Sequence, residues 1–404
     1  MDTNTELFPI AGVCLGATAA KIKKTGTDDF LVISFNEQAI SVASFTQNAF
    51  CAAPVTLAKQ NLQASQNNIR GLVINSGNAN AGTGKQGLAD AKETCQLVAT
   101  ELNCHEEQVL PFSTGVIGEN LPMDKVALGV PKAVANLSSI SWKSASEAIL
   151  TTDLVAKTFS KIVKIGGNAV TITGMSKGSG MIHPNMATML GFVASDVKIS
   201  QACLQTIMTK SVNQSFNRIT VDGDTSTNDA CTLTATQQVD MPIIDCVDSD
   251  AYAQFATLVE ECMTDLAQKI IRDGEGATKF VTIKVEKAAS QAEGLQVANT
   301  VALSPLVKTA LFASDPNWGR ILAAVGRAGV VDFDIDKLKI YLGSVLLVES
   351  GGRARSYTEE AGQTEMDKKD ITIRIILNRG NITETIWTTD FSYDYVKINA
   401  EYRS

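Results

Sequence analysis

The sequence predicts mixed α+β layers, and three observations carry that prediction. Apolar residues recur at helical spacing from Leu88 through Ala91, Cys95, Val98 and Leu102, and again from Phe255 through Val259, Cys262, Leu266 and Ile270. Strict alternation marks strands at Val281, Ile283 and Val285 against Thr282, Lys284 and Glu286, and at Ile371, Ile373, Ile375 and Leu377. The two patterns are interspersed without a regular strand–helix–strand rhythm, which argues against a purely parallel sheet. Lys164 to Met175 reads as a hairpin turning at Gly166-Gly167-Asn168. Asn378-Arg379-Gly380-Asn381 reads as the turn of a second hairpin, leading into ITETIW. Both helical stripes are core-facing.

Composition bounds the class. With 404 residues, 45% of them hydrophobic and 19% charged, the chain can bury a large core and is expected to divide into two or three domains. A net charge of −8 argues against nucleic acid or an anionic membrane surface as partner. The start, MDTNTELFPIAG, lacks a basic segment followed by an apolar one, and nowhere do ~18 apolar residues run together. A cytoplasmic protein without an anchor is therefore expected. Eight cysteines with no C-x-x-C pair are expected to be buried thiols in a reducing compartment. Two histidines, His105 and His183, are too few for a His-rich metal site. VDGDTSTND (Val221 to Asp229) is the segment most like a carboxylate Mg²⁺ site, but an Asx-rich turn bonding its own backbone is the favoured reading, so no metal is expected. AGTGKQG and GMSKGSG resemble phosphate loops only superficially. The first has Ala79 and Gln86 where such a loop needs Gly and Ser or Thr, and in the second the lysine precedes the glycines.

Chemistry concentrates in KGSGMIHPNMATML (Lys177 to Leu190), where Thr188 opens an apolar strand running to Val193. A hydroxyl needs a neighbouring base to act as a nucleophile. Scission of the Ala187–Thr188 bond would supply one, the new α-amine of Thr188 itself. Gly178, Gly180 and the His183-Pro184 pair could hold the strained turn that an N-to-O acyl shift requires. The products would be chains of 187 and 217 residues (404 − 187). Read from residue types alone, a β-branched residue here more simply begins a buried strand. For an oxyanion, STGVIGE is the best candidate, since it follows the apolar stretch Val109 to Phe112 and offers the Thr114 hydroxyl and the Gly115 N–H. The plainer reading of STG is a loop.

KGSGMIHPNMATML resembles the self-cleavage signature of the ornithine acetyltransferases of arginine biosynthesis, also called glutamate N-acetyltransferases. Other segments match that family in order: SGNANAGTGKQG (Ser76 to Gly87), STGVIGE (Ser113 to Glu119), TTD (Thr151 to Asp153), VDGDTSTND, DGEGATK (Asp273 to Lys279), SDPNWGRI (Ser314 to Ile321) and the terminal NAEYRS. The match spans nearly the whole chain. It implies an α/β/β/α sandwich like that of N-terminal-nucleophile enzymes, with a smaller C-terminal α/β domain over about residues 285–404. It also implies self-cleavage into an α chain, 1–187, and a β chain, 188–404, assembled as an α₂β₂ heterotetramer.

By the same resemblance Thr188 is the nucleophile, Thr114 and Gly115 form the oxyanion hole, and Thr151, Lys177, Thr188, Glu275, Asn399 and Ser404 contact substrate; the alignment leaves Thr152 open in place of Thr151. The implied reaction passes an acetyl group from N2-acetylornithine to glutamate by a ping-pong cycle. It needs no cofactor, although some members accept acetyl-CoA as first donor. Lys177 fits the α-carboxylate that both substrates share. Glu275 suits either the ornithine ammonium or the proton of the Thr188 amine. An amidase or aminopeptidase of the related fold is the competing enzyme, and a catalytically silent binding protein the competing non-enzyme.

Overall fold

The computed structural model describes residues 6–23, 26–183 and 189–401. Their elements, in chain order, are β1 (Val13–Thr18), β2 (Phe30–Phe35), β3 (Ile40–Phe45), α1 (Ala53–Ala64), β4 (Gly71–Asn78), α2 (Gly84–Leu102), β5 (Val109–Val116), α3 (Met123–Ala135), α4 (Trp142–Ala148), β6 (Lys157–Ile165), β7 (Asn168–Lys177), β8 (Leu190–Ser195), α5 (Gln201–Gln214), β9 (Ile219–Thr220), β10 (Ala230–Ala235) and α6 (Asp250–Arg272). Then follow β11 (Phe280–Ala288), α7 (Gln291–Ala302), α8 (Pro305–Phe312), α9 (Trp318–Gly326), β12 (Lys339–Leu342), β13 (Val345–Glu349), β14 (Gly352–Arg353), α10 (Glu359–Met366), β15 (Asp370–Ile376), β16 (Ile382–Thr389) and α11 (Tyr393–Ala400). They form two compact units. The first takes the described residues of Met1–Met181, Asn185–Asn217 and Asp224–Ile270, and the second Ile182, His183, Arg218–Gly223 and the described residues from Ile271 on.

In the first unit two sheets face each other. One has the order β1-β2-β4-β5 and the other β3-β10-β8-β7-β6. Side-chain alternation along each strand decides what each face meets. On β2, Leu31 and Ile33 join Leu15, Leu72, Ile74, Leu110 and Phe112 in a core shared with Met175, Leu190, Phe192 and Ala194 of the second sheet. Phe112 and Phe192 meet edge to face with centroids 5.2 Å apart. Phe30, Val32, Val73 and Val109 point the other way, onto Ala91, Cys95 and Val98 of α2 and Val126 and Val130 of α3. On the second sheet's outer face a Cβ at Gly174 of β7 would sit 3.2 Å from Cys262 and Leu266 of α6. The result is a helix–sheet–sheet–helix sandwich, the layered α+β architecture expected.

The predicted first hairpin forms as read. Ile165 pairs with Asn168 across Gly166 and Gly167, whose φ values of 54° and 87° suit a two-residue turn of the primed type. All five apolar positions of the α6 stripe are fully buried. In α2 the stripe departs from expectation at its start. Leu88 is 37% exposed and Gly87 is buried in its place, because a Cβ at Gly87 would lie 1.8 Å from the Thr83 hydroxyl oxygen. The first turn is thus packed on its glycine, and Leu88 faces outward. The eight cysteines are all free, but only Cys95, Cys203, Cys231 and Cys262 are buried; Cys246 is exposed and the others are half-buried.

The second unit is built on a seven-stranded sheet of order β14-β13-β12-β15-β11-β16-β9. Val281, Ile283 and Val285 of β11 and Ile371, Ile373 and Ile375 of β15 bury one face of it against Val297, Ala298 and Val301 of α7 and Val307 and Leu311 of α8. The second predicted hairpin does not form. β11 lies between β15 and β16, parallel to the first and antiparallel to the second. Residues 378–381 therefore bond β11 instead of closing a hairpin: the Arg379 and Gly380 amides both donate to the Lys287 carbonyl, at 2.8 and 3.0 Å. No helix among the described residues is long and apolar enough to cross a membrane.

Candidate acyl-transfer site

One end of the five-stranded sheet gathers charge. Lys157 opens β6, Lys177 closes β7, Leu190 opens β8 opposite Lys177, and Asp229 immediately precedes β10. Lys177 is buried, and its ammonium donates to the Thr151 hydroxyl at 2.8 Å and to the Thr114 hydroxyl at 3.3 Å, with Asp153 at 3.7 Å. Such a group is stable inside a protein only when paired and hydrogen-bonded. Asp153 provides the pairing. It also takes the Lys157 ammonium at 2.6 Å, the Gly178 amide at 2.7 Å and the Thr151 amide at 3.1 Å. Burial alone would raise its carboxyl, but Lys177, Lys157 and the Gly178 amide hold it well below the usual carboxylate range. Thr151 takes the lysine bond, while Thr152 turns to the Ser179 hydroxyl at 2.6 Å.

Thr114 and Gly115 lie inside a strand, not in a loop after one. β5 runs on through Val116, parallel to β4, and the pairing is irregular at Gly77 and Asn78, opposite Thr114 and Gly115. Gly115 has φ +135°, and a Cβ there would fall 2.3 Å from the Gly77 carbonyl carbon, so no side chain fits. Gly115→Ala is expected to part β4 from β5 and, on the oxyanion role the resemblance implies, to displace the donor N–H and lower kcat by about 10²–10³-fold. Steady-state kinetics beside a thermal melt would check it, since a fall in stability with kcat unchanged would refute the assignment.

Asn228 and Asp229 of VDGDTSTND bond backbone remote in sequence, where the favoured reading had the Asx side chains bond their own turn. Asn228 donates to the Ala79 and Ser113 carbonyls at 2.6 and 2.9 Å, stitching the ends of β4 and β5 together. Asp229, fully buried, accepts the Met189 amide at 2.8 Å. Burial pushes its carboxyl well up, only partly offset by that amide, Lys177 and Ser226. Met189 follows Thr188 in the chain. Thr188 itself, Ala187 and Ser404 lie outside the described residues.

In the second unit Glu275 is buried in the turn between α6 and β11, where a solvated carboxylate is the plain expectation, and the Asn399 side-chain amide of α11 donates to it at 2.8 Å. The turn is fastened by Asp390, which accepts the Thr278 amide at 2.8 Å, the Thr278 hydroxyl at 2.6 Å and the Lys279 amide at 2.9 Å. Beneath it, fully buried Lys308 donates to the Thr388 hydroxyl at 2.9 Å and to the Thr389 carbonyl, and lies over the Phe391 ring. Burial, opposed by Asp390 and Asp222, pulls its ammonium down to about 7. Asp153, Asp229, Asn228 and Lys308 escaped sequence reading. Only the TTD and TND segments hinted at the first three, and nothing distinguishes Lys308 from a surface lysine until the sheet covers it.

The layered sandwich, with a buried lysine bonded to the Thr114 and Thr151 hydroxyls, matches the α/β/β/α class of acyl-transfer enzyme that the sequence resemblance implies. The profile of the ArgJ family matches residues 14–404. The arginine biosynthesis bifunctional protein ArgJ of Methylococcus capsulatus is 52% identical over 402 residues, covering 100% of this chain and 98% of its own. Its namesake in Pseudomonas fluorescens is 52% identical over 398 residues, covering 98% of each. A solved chain of the Bacillus halodurans argJ protein is 36% identical with a TM-score of 0.51, covering 53% of this chain and 99% of its own. The protein belongs to the ArgJ family, the ornithine acetyltransferases its segments resemble, and it is an enzyme.

Proposed function

We propose that this enzyme carries an acetyl group from N2-acetylornithine to glutamate on the hydroxyl of Thr188, after cutting its own chain between Ala187 and Thr188. The Thr188 oxygen attacks the acetyl carbonyl and its proton passes to the Thr188 α-amine. The oxyanion is met by the Thr114 hydroxyl and the Gly115 N–H. The C–N bond then breaks, the amine returns its proton to the departing α-nitrogen of ornithine, and glutamate reverses the sequence with its own α-amine. One amide replaces another, so neither ATP nor a cofactor enters, and acetyl-CoA is the alternative first donor. Lys177 holds the α-carboxylate common to both substrates and Thr151 orients that lysine. Glu275, Asn399 and Ser404 complete the substrate contacts, with Glu275 the counter-charge for the ornithine ammonium. The working form is a cytoplasmic α₂β₂ assembly.

The observation that carries this reading is the buried Lys177 ammonium shared between Thr114 and Thr151. It puts a fixed positive charge within one hydrogen bond of an oxyanion donor, in a site where burial strengthens electrostatics. The self-cleavage gains support from proportion. The solved Bacillus halodurans chain covers 53% of this one, and a fragment starting at Thr188 would hold 217 of 404 residues, or 54%. Incubating the enzyme with acetylornithine, with and without glutamate, tests the reaction. Acetylglutamate should form, and free acetate should stay a minor product. Acetate released at the same rate with and without glutamate would mean a hydrolase instead.

A further inference from the structure

We propose that Lys23 is a second substrate-binding cation, placed to receive the side-chain carboxylate of glutamate and thereby to select the acetyl acceptor. The inference rests on the reading just given. The two substrates differ at the far end, where acetylornithine carries an ammonium and glutamate a carboxylate, so Lys177 alone cannot tell them apart.

Lys23 is preorganised at the right place. Its amide and that of Ala20 donate to the two oxygens of buried Asp29, each at 2.7 Å, which pins the backbone. Its stem crosses the end of β4, since a Cβ at Gly77 would come within 2.9 Å of the Lys23 Cγ, and Gly77 is the partner of Gly115. Its ammonium donates at 3.0 Å to the carbonyl of Leu150, the residue before Thr151. An ammonium has three donors, and among the described residues this is the only hydrogen bond it makes and it has no ion pair. Asp153 is already taken by Lys157, Lys177 and two amides, and Asp29 by backbone. Half-burial lowers the Lys23 ammonium, attraction from Asp29, Asp153 and, least, Asp28 opposes that, and Lys177 is near enough to lower it further. Lys177 closes β7 and Lys23 crosses the end of β4 in the facing sheet, and a second anionic group relieves the repulsion between the two ammoniums. A dicarboxylate supplies what a monocarboxylate lacks.

Lys23→Met and Lys23→Arg, assayed half-reaction by half-reaction, test this. In Lys23→Met the KM for glutamate is expected to rise about 10- to 100-fold, the range of one charge-assisted hydrogen bond. The KM for acetylornithine and the rate of ornithine release should stay within about twofold. Transfer to glutamine, expected to be weak in the wild type, should be unchanged, so that the preference for glutamate collapses. Lys23→Arg should recover most of it. Equal losses for both substrates, or a drop in melting temperature with the glutamate-to-glutamine ratio intact, would show a purely structural lysine and overturn the proposal. A wild-type enzyme that makes no acetylglutamate would instead sink the underlying reaction.

Discussion

Thr188→Ala is expected to leave one uncut chain near 43 kDa and to lower acetyl transfer by at least about 10⁴-fold. Removal of a covalent nucleophile costs on that order or more, because the residual rate comes only from binding and the oxyanion donors. The loss is double here. Without the hydroxyl the N-to-O shift has no attacking atom, and without the cut there is no α-amine to take the proton. Downstream packing should survive: β8 is buried at all six positions, and the Met189 amide is still held by Asp229. Intact mass spectrometry after brief exposure to acetylornithine reads both effects. Wild type should show a fragment of 217 residues carrying one acetyl group, and the variant a single unmodified chain. An acetylated, uncut variant would remove Thr188 from the mechanism.

Lys177→Met should be the next most damaging change. It deletes the cation that touches both Thr114 and Thr151 and leaves Asp153, among the described residues, with Lys157 as its remaining ion-pair partner. A fall of about 10²–10³-fold in kcat/KM is expected, as for loss of a transition-state electrostatic partner. Breaking a buried pair from one side costs about 3–5 kcal/mol, and the remaining Lys157 and amide bonds place this case at the lower end. The pH dependence has a definite sign. Asp153 is depressed in the folded state, so its contribution to stability is complete above the unfolded carboxylate value of about 4 and disappears only as the pH falls through the folded value, well below that. Removing Lys177 raises the folded value and moves the loss to higher pH. Acid unfolding followed by circular dichroism should therefore begin earlier in the variant. Identical acid limbs would mean that Lys177 does not hold the Asp153 charge.

Where pattern and packing agree, this fold was legible residue by residue. The α6 stripe and the alternation in β11 and β15 became core because each presents apolar groups on one side only, at a period the backbone imposes. The Gly166-Gly167 turn was legible for the same local reason. The 378–381 turn was not, since local turn chemistry cannot reveal that a strand from a hundred residues earlier will insert between its arms. Leu88 shows the limit inside one helix, where a contact between Gly87 and the preceding loop decided which side faced inward.

For the site, sequence alone determined the kinds of group present: a threonine after a glycine-rich segment, a hydroxyl-glycine pair, a lysine, and the family in which such segments occur together. Tertiary structure decided their states. Glu275 reads as a solvated turn carboxylate, and nothing in the sequence marks Lys177 as buried, until turns and sheets cover them. Lys308 is ordinary in sequence and pulled down to about 7 once enclosed, and Lys23 acquires meaning only from the strand end its stem crosses. Residue type and spacing act over a few positions of chain, and these the sequence carries directly. Burial, charge pairing and the placing of one cation beside another depend on segments far apart along the chain, so only the folded arrangement could settle them.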